Sequence, residues 1–261
     1  MSISEYVKSD EFSPVCQSPT ANGSASAQNN DFGRHMKLLL TSGGVSNASI
    51  QDALVDLLGK PIADSNALCI PTAEYGHTWC TPASAWRFIA GQTPAPMTNL
   101  GWKSVGVLEL TALPSMGDER WVPWVREADV LLVDGGDATY LCHWMRQSGL
   151  ADLLATLPET VWVGVSAGSM VMTPRIGDDF VTWASAPDDR TLGIVDFSIF
   201  PHLDNPDLSW NTMATAERWA AGIGGPAYVI DDQTAIKVTD GTVEVVSEGN
   251  WKALAPALEA S

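Results

Sequence analysis

The chain has 261 residues, 45% of them hydrophobic, which is enough to fill a sizeable core. Its 14 Lys and Arg stand against 31 Asp and Glu, a formal charge of −17. Nucleic acid and anionic membrane surfaces repel such a chain unless a basic patch intervenes, and no Lys/Arg cluster supplies one.

Residues 1–35 are polar and rich in Ser and Asn, without the apolar core of a signal peptide. They read as a disordered leader or a vector-derived remnant, with Met36 a natural start for one domain over 36–261. Strand-like runs follow at 37–41, 67–72, 104–110, 129–134 and 161–166, separated by amphipathic stretches near 48–58, 81–90, 118–127 and 138–155. Continuous apolar strands alternating with helices predict an α/β fold, a mostly parallel sheet with helices on both faces. The tail differs. Runs at 227–231, 234–238 and 242–247 are closely spaced, the last two around "TDG", and predict antiparallel strands added to the same sheet. No run is long enough to span a membrane.

Cys16, Cys69, Cys80 and Cys142 form no CxxC pair, so neither a structural disulfide nor a zinc site is expected, and a reducing cytoplasm is the expected compartment. No GxGxxG or GxxxxGK[ST] is present, and no cofactor or metal is expected.

Sites in open α/β sheets form at the carboxyl ends of strands. Three strands end suggestively: in Thr41-Ser42-Gly43-Gly44, in Asp134-Gly135-Gly136-Asp137, and in Gly164-Val165-Ser166-Ala167-Gly168. The third has the form of a nucleophile elbow, a strand-to-helix turn tight enough to hold its serine strained and exposed. A serine hydroxyl needs a base. His202, between Pro201 and a short acidic loop, is the leading candidate, and His77, after the second strand, is the alternative. The orienting acid has three candidate pairs, Asp178-Asp179, Asp188-Asp189 and Asp231-Asp232, of which the last lies between two β-runs. Oxyanion donors would be the N–H of Ala167 and one from Gly135-Gly136. Asp137, His77, Arg175 and Trp183 are the candidate substrate contacts. Trp210, Met213, Ala214 and Ala221 recur at helical spacing and read as a core-facing stripe.

The order of "DGGDATYL", "GVSAGSM", "FPHLDNP" and "VIDDQTAIKV" resembles the peptidase E (aspartyl dipeptidase) family, which includes cyanophycinase. That resemblance covers most of 36–251. It implies a serine hydrolase on a class I glutamine amidotransferase-like, flavodoxin-like fold. It implies Ser166 as nucleophile, His202 as base 36 residues later, Asp232 as acid and Gly136 as the oxyanion glycine. Two departures stand out. The family's acid is usually glutamate. Its aspartate-recognising arginine beyond the histidine has no counterpart in 203–216, where no Lys or Arg occurs.

The resulting expectation is a dipeptidase-like serine peptidase acting on small peptides, with homodimerisation left open. A non-catalytic ligand-binding or regulatory relative is the alternative. An amidotransferase is disfavoured, since those enzymes carry cysteine at the elbow.

Overall fold

The computed structural model describes residues 36–255, so the reading of 1–35 as a leader lies outside the described residues. Seven strands form the main sheet in the order β3-β2-β4-β5-β1-β8-β9. They are β1 (Lys37–Thr41), β2 (Asn66–Ile70), β3 (Ser104–Val107), β4 (Val130–Val133), β5 (Val161–Val165), β8 (Thr234–Thr239) and β9 (Thr242–Ser247). β1 to β5 pair in parallel, while β8 and β9 join β1 as an antiparallel extension.

Alternation along the buried strands feeds two cores. Leu38, Leu40, Leu131, Val133 and Trp162 enter one, and Leu39, Val130, Leu132 and Val163 enter the other. The first is covered by α3 (Asp118–Arg126), α4 (Ala138–Gln147) and α5 (Leu150–Leu154) through Trp121, Val125, Leu141, Met145 and Leu154. The second is covered by α1 (Ala48–Leu58) and α2 (Pro82–Ile89) through Ile50, Leu54, Leu57 and Phe88. The helix ends follow local chemistry. Asn47 caps α1 by accepting from the Ile50 N–H at 3.0 Å, and Gly59 ends it at φ 66°. Residues 138–155 form two helices instead of one stretch, because Gly149 at φ 80° turns the chain between α4 and α5.

The tail departs from expectation. β8 and β9 extend the main sheet, but β7 (Ala227–Ile230) does not join it. It lies between β6 (Ser198–Phe200) and β10 (Trp251–Leu254) in a separate three-stranded sheet. The reason is a third core: Ala227, Val229 and Phe200 pack on Ala216, Trp219 and Ile223 of α7 (Met213–Ile223). The stripe expected at Trp210, Met213, Ala214 and Ala221 is therefore out of phase. Trp210 precedes α7 and is 41% exposed. Among the described residues, no helix is long and apolar enough to cross a membrane.

Short α6 (Ala167–Met170) is pressed onto the strand ends. A Cβ on Gly164 would run into the Gly168 carbonyl, and one on Gly168 into the Val133 carbonyl. Gly164→Ala should therefore lower stability by about 1–3 kcal/mol through overpacking, read as a reduced urea midpoint at unchanged m-value. Gly59→Ala is the control, since a Cβ there meets nothing within 4 Å. Its cost should be confined to its positive φ.

Candidate active site

Ser166 caps α6 with φ 52° and ψ −113°, a left-handed conformation that side chains other than glycine rarely adopt. The turn is held from both sides. The Ser166 N–H donates to the Thr41 carbonyl at 3.0 Å, and the Ser169 hydroxyl bonds the carbonyls of Thr41 and Gly164 at 2.8 and 2.9 Å. The buried Trp162 indole donates to the Gly168 carbonyl at 2.9 Å.

His202 Nε2 lies 2.9 Å from Ser166 Oγ, and its Nδ1 lies 2.6 Å from Asp232 Oδ1. The carboxylate accepts, so Nδ1 carries the proton and Nε2 accepts from the serine hydroxyl. His202 itself sits at φ 58°, just after β6. Asp232 lies in the turn between β7 and β8. Burial alone would raise its pKa. Hydrogen bonds from His202, Ser42 and Asn205 outweigh that and hold it at about 2.

Two of these partners carry no local motif. The Ser42 hydroxyl donates to Asp232 Oδ1 at 2.6 Å and accepts from the His202 backbone N–H at 2.7 Å. Asn205 Nδ2 donates to Asp232 Oδ2 at 2.6 Å. The only advance sign of Ser42 was its place at the carboxyl end of β1. Gly43 completes the contact: a Cβ there would stand 2.7 Å from the Asp232 Cβ.

The other candidate acids lie elsewhere. Asp231 accepts from Gln233 N, the Thr234 hydroxyl and Asn250 N, and so closes its own turn. Asp179 is exposed on a single-turn helix. Asp189 is buried and takes the Arg175 Nε at 3.1 Å on both oxygens, with the Gly177 N–H at 2.9 Å. Arg175, expected to face substrate, is thereby engaged with Asp189.

Gly135 lies against the serine, and Gly136 against the loop at Ala73 and Glu74. A Cβ on Gly135 would stand 3.5 Å from the Ser166 Cβ. Gly136, at φ 129°, packs so tightly on Ala73 and Glu74 that a Cβ would strike the Ala73 carbonyl. The Gly135 N–H is taken by Asp134 Oδ1 at 2.8 Å. Those of Gly136 and Ala167 have no acceptor among the described residues.

Asp137, expected as a substrate contact, is fully buried. Its oxygens accept from the Thr139 hydroxyl, Tyr140 N, Thr182 N, the Thr182 hydroxyl and Trp183 N, at 2.5–2.8 Å. It caps α4 and ties that helix start to the 182–183 segment. Trp183 is half-buried there, its ring against Tyr140 and His143. His77 is half-buried and accepts from the Trp79 N–H at 3.3 Å, and burial lowers its pKa. The serine's hydrogen bond goes to His202 instead. Among the described residues no group of three or more His, Cys, Asp or Glu could hold a metal.

Comparison with known proteins identifies the family and the fold. The profile of peptidase family S51 matches residues 38–246. A candidate peptidase E from Listeria monocytogenes EGD-e superposes with a TM-score of 0.62 at 18% identity, over 82% of this chain and 99% of that one. A peptidase from an acI-B1 Actinobacterium superposes with a TM-score of 0.61 at 20% identity, over 85% and 94%. At these identities the structures speak for the fold. No curated protein sequence matches.

The depressed Asp232 pKa has a consequence for stability. A carboxyl held at about 2, against an ordinary 3.8, stabilises the fold above pH 3.8 and loses that contribution as pH falls toward 2. Asp232→Asn should remove this component from the acid-unfolding curve followed by circular dichroism. Ser42→Ala should lower kcat by roughly 10- to 100-fold with little change in KM, because it loosens both His202 and Asp232.

Proposed function

The chain belongs to peptidase family S51 and is a serine peptidase; on that premise we propose that it cleaves short, dipeptide-like substrates through Ser166, His202 and Asp232. The observation that carries this reading is the unbroken hydrogen-bonded chain from Ser166 Oγ through the His202 ring to Asp232, at 2.9 and 2.6 Å. Ser166 Oγ attacks the scissile carbonyl while His202 Nε2 takes its proton. Asp232 holds the imidazole in the correct tautomer and stabilises the imidazolium. The N–H groups of Gly136 and Ala167 stabilise the oxyanion. His202 then returns the proton to the leaving amine, and water attacks the acyl-enzyme by the same route in reverse. A purely ligand-binding relative would have no need of the strained serine or of three donors on Asp232.

Two expected outcomes test the mechanism. Ser166→Ala should abolish labelling by a fluorophosphonate and drop kcat by orders of magnitude in a folded protein. Asp232→Asn should cost roughly 10⁴-fold in kcat through the wrong imidazole tautomer, while Asp179→Asn stays near wild type. Activity retained in folded Ser166→Ala would overturn the reading.

Substrate choice follows from the cations at hand. A desolvated substrate carboxylate needs a positive partner. Arg175 is committed to Asp189, Arg218 bonds Thr215 on its own helix, and Arg87 exerts its charge on Glu74. Ala-X and Ser-X dipeptides should therefore show kcat/KM at least equal to that of Asp-X at one pH. A preference for Asp-X of a hundredfold or more would contradict this.

A further inference from the structure

Beside the oxyanion loop stand two carboxyls that the triad does not use. Asp134 follows β4, directly before Gly135, and is only 5% exposed. Its Oδ1 accepts from the Gly135 N–H, but its Oδ2 has no partner. A buried carboxyl oxygen left unpaired costs free energy unless something else satisfies it. Glu74 flanks the loop from the other side, its backbone pressed against Gly136. Its carboxyl is partly buried, and among the described residues no donor or cation reaches it within bonding distance. The two groups feel one another: after burial, the Glu74 charge is the next cause that raises the Asp134 pKa. Neither carboxyl has an ion-pair partner within 4 Å among the described residues, Arg87 acting on Glu74 only from farther off, and both adjoin the oxyanion loop, next to which a peptidase must seat the residue before its scissile bond.

The α-nitrogen of that residue is bonded to the Cα next to the scissile carbonyl carbon, about 2.5 Å from that carbon by standard bond geometry. Whatever receives this nitrogen must therefore adjoin the oxyanion donors. We infer that Glu74, with Asp134 behind it, forms the subsite for the substrate's free α-ammonium group. This rests on the serine-peptidase reading of Ser166 and adds to it the feature of the substrate that fixes its register. Glu74 is the accessible member and takes the direct contact. Asp134 lies deeper and backs it with a carboxyl oxygen that no protein donor satisfies. An N-acyl peptide would bring an uncharged amide to these carboxyls and leave both unpaired, so blocked peptides are rejected by a desolvation penalty as well as by size.

The test uses the full chain and a fluorophosphonate probe at pH 7, with L-alaninamide or propionamide as competitor. The two competitors differ by the ammonium group alone. Alaninamide should slow labelling at a concentration at least tenfold lower than propionamide does. Glu74→Gln should bring the two within about threefold of each other, and Asp134→Asn should narrow the gap less. The readout is the ratio of the two competitors within one variant, so a general change in serine reactivity cancels. Equal protection by both amides in the wild-type protein would overturn the subsite while leaving the nucleophile in place. An undiminished ratio in both variants would do the same. Absence of labelling in the wild-type protein would instead overturn the serine-peptidase reading, and the subsite with it.

Discussion

The site depends on one constraint, the close approach of backbones at the end of β5. Gly164 admits the Gly168 carbonyl, Gly168 admits the Val133 carbonyl, and no side chain fits at either contact. The chain can turn that sharply only if the residue between takes a left-handed conformation, and Ser166 does so at φ 52°. Such strain costs on the order of 1–3 kcal/mol and persists only where the surroundings over-determine it. Here they do: the Ser169 hydroxyl clamps Thr41 to Gly164, the Trp162 indole fixes the Gly168 carbonyl, and α6 is buried throughout. The same crowding brings Gly135 alongside the serine, so the strained elbow and the oxyanion loop are parts of one packing solution.

The base and the acid come from the seam between the two sheets. His202 follows β6 of the small sheet, and Asp232 lies where the chain leaves β7 for β8 of the large one. The seam is stitched by the Ser42 hydroxyl at the end of β1, which accepts from the His202 backbone N–H at 2.7 Å and donates to Asp232 Oδ1 at 2.6 Å. Asp231 closes the crossing turn with three hydrogen bonds, and that fixes which way Asp232 projects. The small sheet is therefore the element that presents His202 to the serine.

The sequence made legible what is local. Apolar runs gave β1, β2, β4 and β5, the glycine-serine turn marked the elbow, and a proline-histidine pair stood out among few histidines. What stayed hidden is long-range. Ser42 and Asn205 are single polar residues, and their link to Asp232 spans 190 and 27 positions, which no spacing rule anticipates. The separate sheet was hidden for the same reason, since β6 is three residues long and gains its place only by pairing with β7. α7 shows a related failure: the apolar spacing was real, but packing on β7 selected Ala216, Trp219 and Ile223 over the neighbouring stripe.

The acidic residues make the deepest version of this point. Asp232, Asp137 and Asp134 all lie at carboxyl ends of strands or in the loops just beyond, and by sequence they look interchangeable. Their surroundings divide them by the supply of donors. Asp232 has three side-chain donors and is held at a pKa of about 2, ionised and able to stabilise an imidazolium. Asp137 has five donors, is likewise held below its ordinary pKa against the effect of burial, and uses two of them to cap α4 and three to fix the 182–183 segment. Asp134 has one donor, is buried beside Glu74, and is pushed well above its ordinary pKa. One residue type thus serves as charge stabiliser, structural strap and unsatisfied acid within one fold. Donors brought in by distant parts of the chain decide which is which, so the roles become readable only after folding.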